Sequence, residues 1–430
     1  MKLNSFRYIN IGKFRRCLYI DLNKYLVIEK RNIAFVLFTI GVAVNIFASI
    51  HVMYFWPIEA HCSLVTMPLF VMALLLSRTT SKPIFTRTDF ILPVILSVMV
   101  QYYQSIVNAQ NIVPFVLAIC SMVTYYCVFR INIELAEKSL TLICKGFAVF
   151  LVVSMFFFFL YIIGVPLPGI PVNKIEYSYT NYFFFLLDDR ELWNILFLPR
   201  FNSVFLEPGH MGTTIVMLLA TQIDKWKKWY NIILFIALLL SFSLAAYCLL
   251  VILLFLRLWI MRRKLLVKVL GLVSFMAVIV GGSFVYNDGD NMLNNLIVMR
   301  LEVSDTGDDF KGNNRVSEDF EKEFESFLNS SDVLFGRDFA VWGNSGYRVY
   351  IYDYGMVGFV LFLVFYFFAF RTGNDIRAII TAFVMSLTNF WIRGYPMLFA
   401  FVFSYFMISQ MDFYKSHLIK KEHGKDEVGK

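Results

Sequence analysis

The chain has 430 residues, 59% of them hydrophobic and only 16% charged, with a formal net charge of +8 and a mean hydropathy of +0.65. Soluble domains run near half apolar and a quarter charged, so an ordinary soluble protein is excluded. Apolar runs of membrane-spanning length recur from end to end. They make the chain one polytopic membrane domain rather than two or three soluble ones, and they turn the positive charge into a question of topology rather than of nucleic-acid binding.

Residues 1–31 are basic and partly aromatic (Phe6, Tyr8, Phe14, Tyr19, Tyr25), with no apolar stretch of the kind a cleavable signal carries. They read equally as an interfacial helix on the inner surface or as a solvated tail. The predicted spans follow at 32–54, 60–77, 89–107, 112–129, 146–165, 206–223, 230–242, 244–257, 265–286, 349–370, 378–392 and 396–413, and 414–430 is a polar tail. The transmembrane domain thus covers 32–413, and the fold class is an all-α polytopic membrane protein of about twelve helices.

Segment 230–257 is the hard one, because it could be a single long helix or two short ones meeting at Ser241-Phe242-Ser243. Charge decides. Lys225, Lys227 and Lys228 precede it and Arg257, Arg262, Arg263 and Lys264 follow it. A single crossing would put one cluster outside, against the positive-inside bias; a hairpin or re-entrant pair keeps both inside. With the hairpin both termini are cytoplasmic, and all but ten of the 39 basic residues fall on the inner face. The ten on the outer face are Lys174, Arg190, Arg200, Arg300, Lys311, Arg315, Lys322, Arg337, Arg348 and Arg393.

Two outer loops are long, 166–205 and 287–348. Loops of that length without internal structure are uncommon in folded proteins. In the second, VSEDFEKEFESFL (316–328) predicts a helix with Ser317 as N-cap, an acidic first turn, and Phe320, Phe324, Phe327 and Leu328 on one face. The six cysteines (Cys17, Cys62, Cys120, Cys127, Cys144, Cys248) avoid both loops and form no CxxC, which argues against a disulfide framework or a zinc site.

The chemistry concentrates where the loops enter the membrane. RFNSVFLEPGHMG (200–212) carries Arg200, Glu207 and His210 beside a long apolar run, with Pro208-Gly209 at the helix start. The plain reading is an interfacial cap, with Glu207 ending a helix, Arg200 snorkelling and His210 among headgroups. FGRDFAVWGNSGYRVYIYDYGMVG (335–358) brings Arg337 in a glycine-broken loop and Arg348 at the start of a span, and Arg315 precedes the loop helix. Arginine forks match phosphate oxygens in pairs and aromatic faces suit sugar rings, so several arginines, one carboxylate and many aromatics point to a pyrophosphate-linked sugar. Elsewhere the plain readings are preferred: interfacial side chains for His51, Glu59 and His61, a turn anchor for Arg393, and a partner for a nearby arginine for Asp353.

RFNSVFLEPGHMG resembles the "R…S.F.EP…G" segment of the O-antigen polymerase (Wzy-type) proteins, and SGYRVYIYDYGMVGF resembles the end of their second large outer loop. The layout of about a dozen spans, two large outer loops and a bent hairpin is similar too. The resemblance implies a GT-C-like membrane glycosyltransferase that needs no metal or other cofactor. Its substrates would be undecaprenyl-pyrophosphate-linked oligosaccharides, joined at the outer face of the bacterial inner membrane. A chain-length regulator and a flippase are the candidate protein partners, beside membrane lipids, with no nucleic acid. Arg200 and Arg348 would hold the donor pyrophosphate, with Glu207 as base or as support for Arg200 and His210 as the alternative base. Arg337, Arg315, Asn344 and Tyr347 would bind substrate. Related O-antigen ligases carry a His-Asn pair where this chain has Gly343-Asn344, which counts against a ligase. A transporter or lipid-oligosaccharide flippase is the main alternative; it would concentrate charge near the midplane, where these spans have almost none. An envelope acyltransferase would need a histidine-centred motif, for which His210 is the sole candidate.

Overall fold

The computed structural model describes residues 11–48, 62–77, 113–174, 177–188, 199–222, 225–261, 265–291, 293–299, 302, 317–337, 346–370, 380 and 384. The expected spans 89–107 and 396–413, and 378–392 apart from residues 380 and 384, lie outside the described residues, as do His51, Glu59, His61, Arg315, Asn344, Arg393 and the 414–430 tail.

The chain is a helical membrane protein. Its helices are α1 (Ile11–Ala48), α2 (Cys62–Ser77), α3 (Val113–Arg130) and α4 (Ile133–Ile162). They continue as α5 (Pro208–Thr221), α6 (Trp229–Leu240), α7 (Leu244–Met261), α8 (Leu265–Val285), α9 (Glu318–Leu328) and α10 (Tyr347–Phe370). Among the described residues three stretches are long and apolar enough to cross a bilayer unaided, Glu29–Phe47, Glu134–Ile162 and Leu266–Gly289.

Two inner-face expectations change. The 1–31 segment is not separate from the first span, because from Ile11 onward it belongs to the same 38-residue helix. At 1.5 Å per residue that helix is about 57 Å long, well beyond a hydrocarbon core of about 30 Å, so it projects past the membrane. Likewise the 130–145 stretch, expected as a connection, is mostly the start of α4. Asn132 caps it by accepting the Glu134 amide at 2.8 Å, a favourable N-cap arrangement.

The expectation of an all-α chain is corrected in the first long loop. Three strands form an antiparallel sheet, β1 (Ile170–Lys174), β2 (Tyr177–Asn181) and β3 (Leu186–Asp188), in that order, with Val172 opposite Tyr179 and Thr180 opposite Leu187. The buried strand β3 carries the loop into the bundle. There Phe185 and Phe201 pack around Phe158 of α4, with ring centroids 5.6 and 5.0 Å away. Non-helical backbone at this depth needs internal partners, and it has them. The Leu186 amide donates to the Ser203 carbonyl at 2.7 Å, and the Phe201 amide to the Leu240 carbonyl at 3.0 Å. Ser203, fully buried and at φ 52°, is held by a 2.9 Å hydroxyl contact with Ser154 of α4.

The break at Ser241–Ser243 is present: α6 ends at Leu240, Phe242 adopts φ 43°, and α7 begins at Leu244. α6 has 12 residues and α5 has 14, about 18 and 21 Å, both short of a full crossing. α5 lies in the elbow between α6 and α7. A Cβ on Gly212 would sit 2.4 Å from Ala246 Cβ and 3.4 Å from Ser241 Oγ, so only glycine permits this approach. Elsewhere Phe70 of α2 lies over Gly41 of α1 and meets Phe38 edge-on at 5.3 Å. Thr39 donates to Ser139 at 2.8 Å, linking α1 to α4.

Gly212→Val is expected to destabilise the protein by about 1–3 kcal/mol through overpacking. Ala246→Gly in the same chain should recover part of the loss. Thermal unfolding of the purified protein in detergent measures both, and a wild-type profile for Gly212→Val would show that α5 does not sit in the elbow.

Candidate functional site

Two groups of side chains converge on helix starts. The first is Arg200 to His210. The chain from Phe201 to Phe205 is buried, tied by Asn202 Nδ2 to the Phe205 carbonyl at 2.7 Å. Pro208 then opens α5 in the first-turn position that suits a residue without an amide proton. Glu207 has the extended backbone of an N-cap (φ −133°, ψ 143°), but its side chain makes no capping hydrogen bond. The plain capping role is therefore unfilled. The carboxylate is half exposed and lies 3.9 Å from His210 Nε2, within ion-pair reach and too long for a hydrogen bond. The rest of the helix start is fixed by its own polar groups, with Thr213 donating to the Gly209 carbonyl and Thr214 to the His210 carbonyl, both at 2.8 Å.

The elbow residues lie beside this helix start. A Cβ on Gly209 would be 3.5 Å from Ser243 Oγ. α5 is followed by Lys225, Lys227 and Lys228, and Glu207 stands about 21 Å from its far end along the axis, a length shorter than a hydrocarbon core of about 30 Å.

The second group is built on α9 and the start of α10. Ser317 caps α9 by accepting the Phe320 amide at 3.2 Å, and Phe320, Phe324 and Phe327 are buried as expected. Leu328, expected on the same face, is instead 47% exposed, because at the last residue of the helix the chain turns away into the Ser331–Leu334 turn. The three phenylalanines pack on Tyr352, whose ring is 5.0 Å from Phe327 and 5.5 Å from Phe320. Its hydroxyl donates to Glu323.

Here the backbones of loop and helix cross. Gly336 (φ +88°) would place a Cβ 2.6 Å from the Asp353 carbonyl oxygen, and Gly355 (φ +68°) one 2.4 Å from that of Leu334. Both positions need left-handed backbone and both exclude a side chain. Gly355 also interrupts α10, and the Arg337 amide closes the crossing by donating to the Tyr352 carbonyl at 2.9 Å.

Arg337 Nε donates to Asp332 at 2.8 Å and its guanidinium lies 5.6 Å from the Phe327 ring centre. The hydrogen bond from Arg337 holds the Asp332 carboxyl below the usual carboxylate range. With a lowered folded value, this tie contributes fully above the unfolded pKa and is lost as pH falls through the folded one. Arg348 donates to Glu321 at 3.0 Å, and its hydrogen bond with Tyr347 raises its own pKa first, with Glu321 adding to the effect. Arg348 therefore takes its partners from the loop helix and from its own neighbour, not from the Arg200 stretch. Asp353 is buried. Phe183, Phe335 and Tyr347 keep exposed rings.

Sequence reasoning named Arg337, Arg348, Tyr347, His210 and Glu207 but not the acids Asp332, Glu321 and Glu323. The available signal was the acidic helix placed a few residues before two arginines. A pyrophosphate reaching either guanidinium would exchange one carboxylate partner for phosphate oxygens. Compared with protein-family models, curated proteins and solved structures, the chain gives no significant match.

Phe327→Ala is expected to cost about 3–5 kcal/mol of packing at the loop helix. Trypsin should then nick the loop at Lys322 or Arg337 well before the wild type under native conditions. Equal nicking rates in the two proteins would mean that α9 does not depend on its aromatic contact with α10.

Proposed function

We propose that this chain is a metal-independent polysaccharide polymerase with a GT-C-like architecture, joining lipid-linked oligosaccharide repeat units at the outer face of a bacterial inner membrane. The observation that carries the reading is Glu207, a carboxylate at the cap position of a short helix that does no capping and faces His210 instead. The arginines of the second outer loop, fixed on α9 and α10 with exposed aromatic rings beside them, support a pyrophosphate and sugar ligand.

In the proposed reaction the hydroxyl oxygen of one lipid-linked repeat unit attacks the anomeric carbon of the growing glycan. The bond between that carbon and the undecaprenyl pyrophosphate oxygen breaks, and the pyrophosphate leaves with the electron pair. Glu207 takes the hydroxyl proton. Arg200 and Arg348 stabilise the negative charge that develops on the leaving group, the role in which fixed donors give most to catalysis. Arg337, Arg315, Asn344, Tyr347 and His210 hold substrate. Before substrate arrives, Asp332 and Glu321 keep two of the guanidinium groups aimed.

The topology that goes with this function has twelve spans and both termini in the cytoplasm. The break between α6 and α7 supports it, since a hairpin there would return Lys228 and Arg257 to the same side. Reporters fused at Asp309 and Lys425 are expected to read periplasmic and cytoplasmic, respectively. Cytoplasmic activity at Asp309 would overturn the arrangement.

Arg200→Ala is expected to reduce polymerisation by about 10²–10³, and Arg200→Lys should rescue little if a bidentate fork is required. Glu207→Gln keeps shape and hydrogen-bond acceptance while removing the base, so cells should accumulate single repeat units with normal protein in the membrane. A glycan ladder beside an immunoblot reads both. Normal ladders from both variants would sink the assignment.

A further inference from the structure

A second polar site lies at the opposite end of the bundle from Glu207. The first turns of α4, with Lys225 from the α5–α6 connection, line a cavity of about 460 Å³ bounded by Glu134, Glu137, Lys138, Thr141, Lys145 and Lys225. That volume is within the range of small-ligand sites. Both carboxylates are already neutralised. Arg31 of α1 pairs with Glu134 at 2.6 Å, and Lys225 pairs with Glu137 at 2.5 Å. Lys138 and Lys145 remain, both exposed, and among the described residues neither is paired with a carboxylate. They stand two helical turns apart, about 10.5 Å along the axis. Lys145 Nζ is 5.9 Å from the Tyr230 ring centre, a distance at which cation and ring attract.

The same face of α4 continues as lipid-facing surface. Leu142 (47%), Val149 (55%), Val152 (44%), Phe156 (59%) and Phe159 (45%) are all exposed. With Lys138 and Lys145 they recur at spacings of three and four, which places them in one stripe. A cationic cavity that opens onto an apolar stripe fits a molecule with an anionic head and hydrocarbon tails. Free phosphate would satisfy only the lysines, and a neutral lipid only the stripe. Basic cavities between transmembrane helices recognise acidic headgroups on this principle, and each surface lysine contributes about a fivefold gain in affinity for an anionic membrane.

We propose that the cavity between α4 and the α5–α6 connection binds the phosphate of an anionic glycerophospholipid, with Lys138 and Lys145 as its ligands and the Leu142–Phe159 stripe holding a chain. The site does not rest on the polymerase reading; it needs only that α4 is embedded in a bilayer. A lipid there braces α1, α4 and the α5–α6 connection together, since Arg31 and Lys225 already tie those elements to the same two acids.

The test is native mass spectrometry of the purified full chain in detergent, titrated with dioleoyl phosphatidylglycerol or with phosphatidylcholine of the same chains. The expected result is retained phosphatidylglycerol, little phosphatidylcholine, and no displacement by a hundredfold excess of inorganic phosphate. Lys138→Gln should lower retention about fivefold, and the double change with Lys145→Gln further, whereas Lys138→Arg with Lys145→Arg should keep it. Because both lysines are exposed, the variants should elute from size exclusion like the wild type; the single changes supply the same readout if the double does not. Equal retention of both lipids, displacement by phosphate, or undiminished retention in the glutamine variants would each overturn the proposal.

Discussion

Buried backbone that is not helical must find hydrogen-bond partners inside the protein, and this requirement shapes the bundle around α5. The chain from Phe201 to Phe205 is buried without being helical. Its Phe201 amide donates to the Leu240 carbonyl, its Ser203 carbonyl accepts from the Leu186 amide, its Ser203 hydroxyl meets Ser154 of α4, and its Asn202 side chain ties to the Phe205 carbonyl. Two of the outside partners stand where another element ends, Leu240 at the end of α6 and Leu186 at the start of β3, while Ser154 comes from within α4. The irregular segments satisfy one another. Short helices go with them: α5 and α6 stop at 14 and 12 residues, and the α6–α7 elbow takes the place of a continuous helix.

The close approach of α5 to the elbow has a different origin. Little hydrophobic drive brings helices together inside a bilayer, so association depends on packing between small residues and on a few polar contacts. Gly212 against Ala246 and Ser241 is such an interface, and Gly41 beneath Phe70 is another. The polar groups buried in these regions (Thr213, Thr214, Ser241, Ser243) bond locally to backbone or stand beside it. They set the geometry of α5 without placing a charge in the apolar interior.

Much of this was legible in the chain. The elbow could be found because two basic clusters flank one apolar run, and the bias in their placement is stronger than any local propensity at Ser241-Phe242-Ser243. The α9 face could be found because Phe320, Phe324 and Phe327 recur at helical spacing behind a serine cap. The sheet was missed, although Tyr177-Ser-Tyr-Thr-Asn alternates with period two, because so short a stretch lies within a long loop flanked by stronger helical signals. Leu328 was misplaced because periodicity says nothing about where the last turn is abandoned. The α4 extension was missed because its first turns are polar, and polarity was read as a connection; in fact the helix continues into the polar zone and its charges line a cavity there. At the candidate site the cationic side chains were identifiable by type, but their acidic partners were not, since pairing depends on how a loop crosses a helix.

That crossing governs how the second loop can act. Gly336 and Gly355 each lie against the other segment's backbone at distances no side chain allows, and the Arg337 amide bonds the Tyr352 carbonyl between them. The joint is therefore made of main chain, and it holds without help from the salt bridges. Arg337 emerges one residue from the crossing on the loop side, and Arg348 lies two turns before it on the helix side. Their relative position is set by backbone, while the direction of each guanidinium is set by a carboxylate, Asp332 or Glu321, that water or a ligand can replace. Solvent-exposed pairs of this kind are weak. A ligand with two negative charges would release them at small cost and leave the arginines where they stand. The glycine crossing thus supplies rigidity and the weak ion pairs supply exchangeability, which is the division of labour the proposed anionic substrate would require.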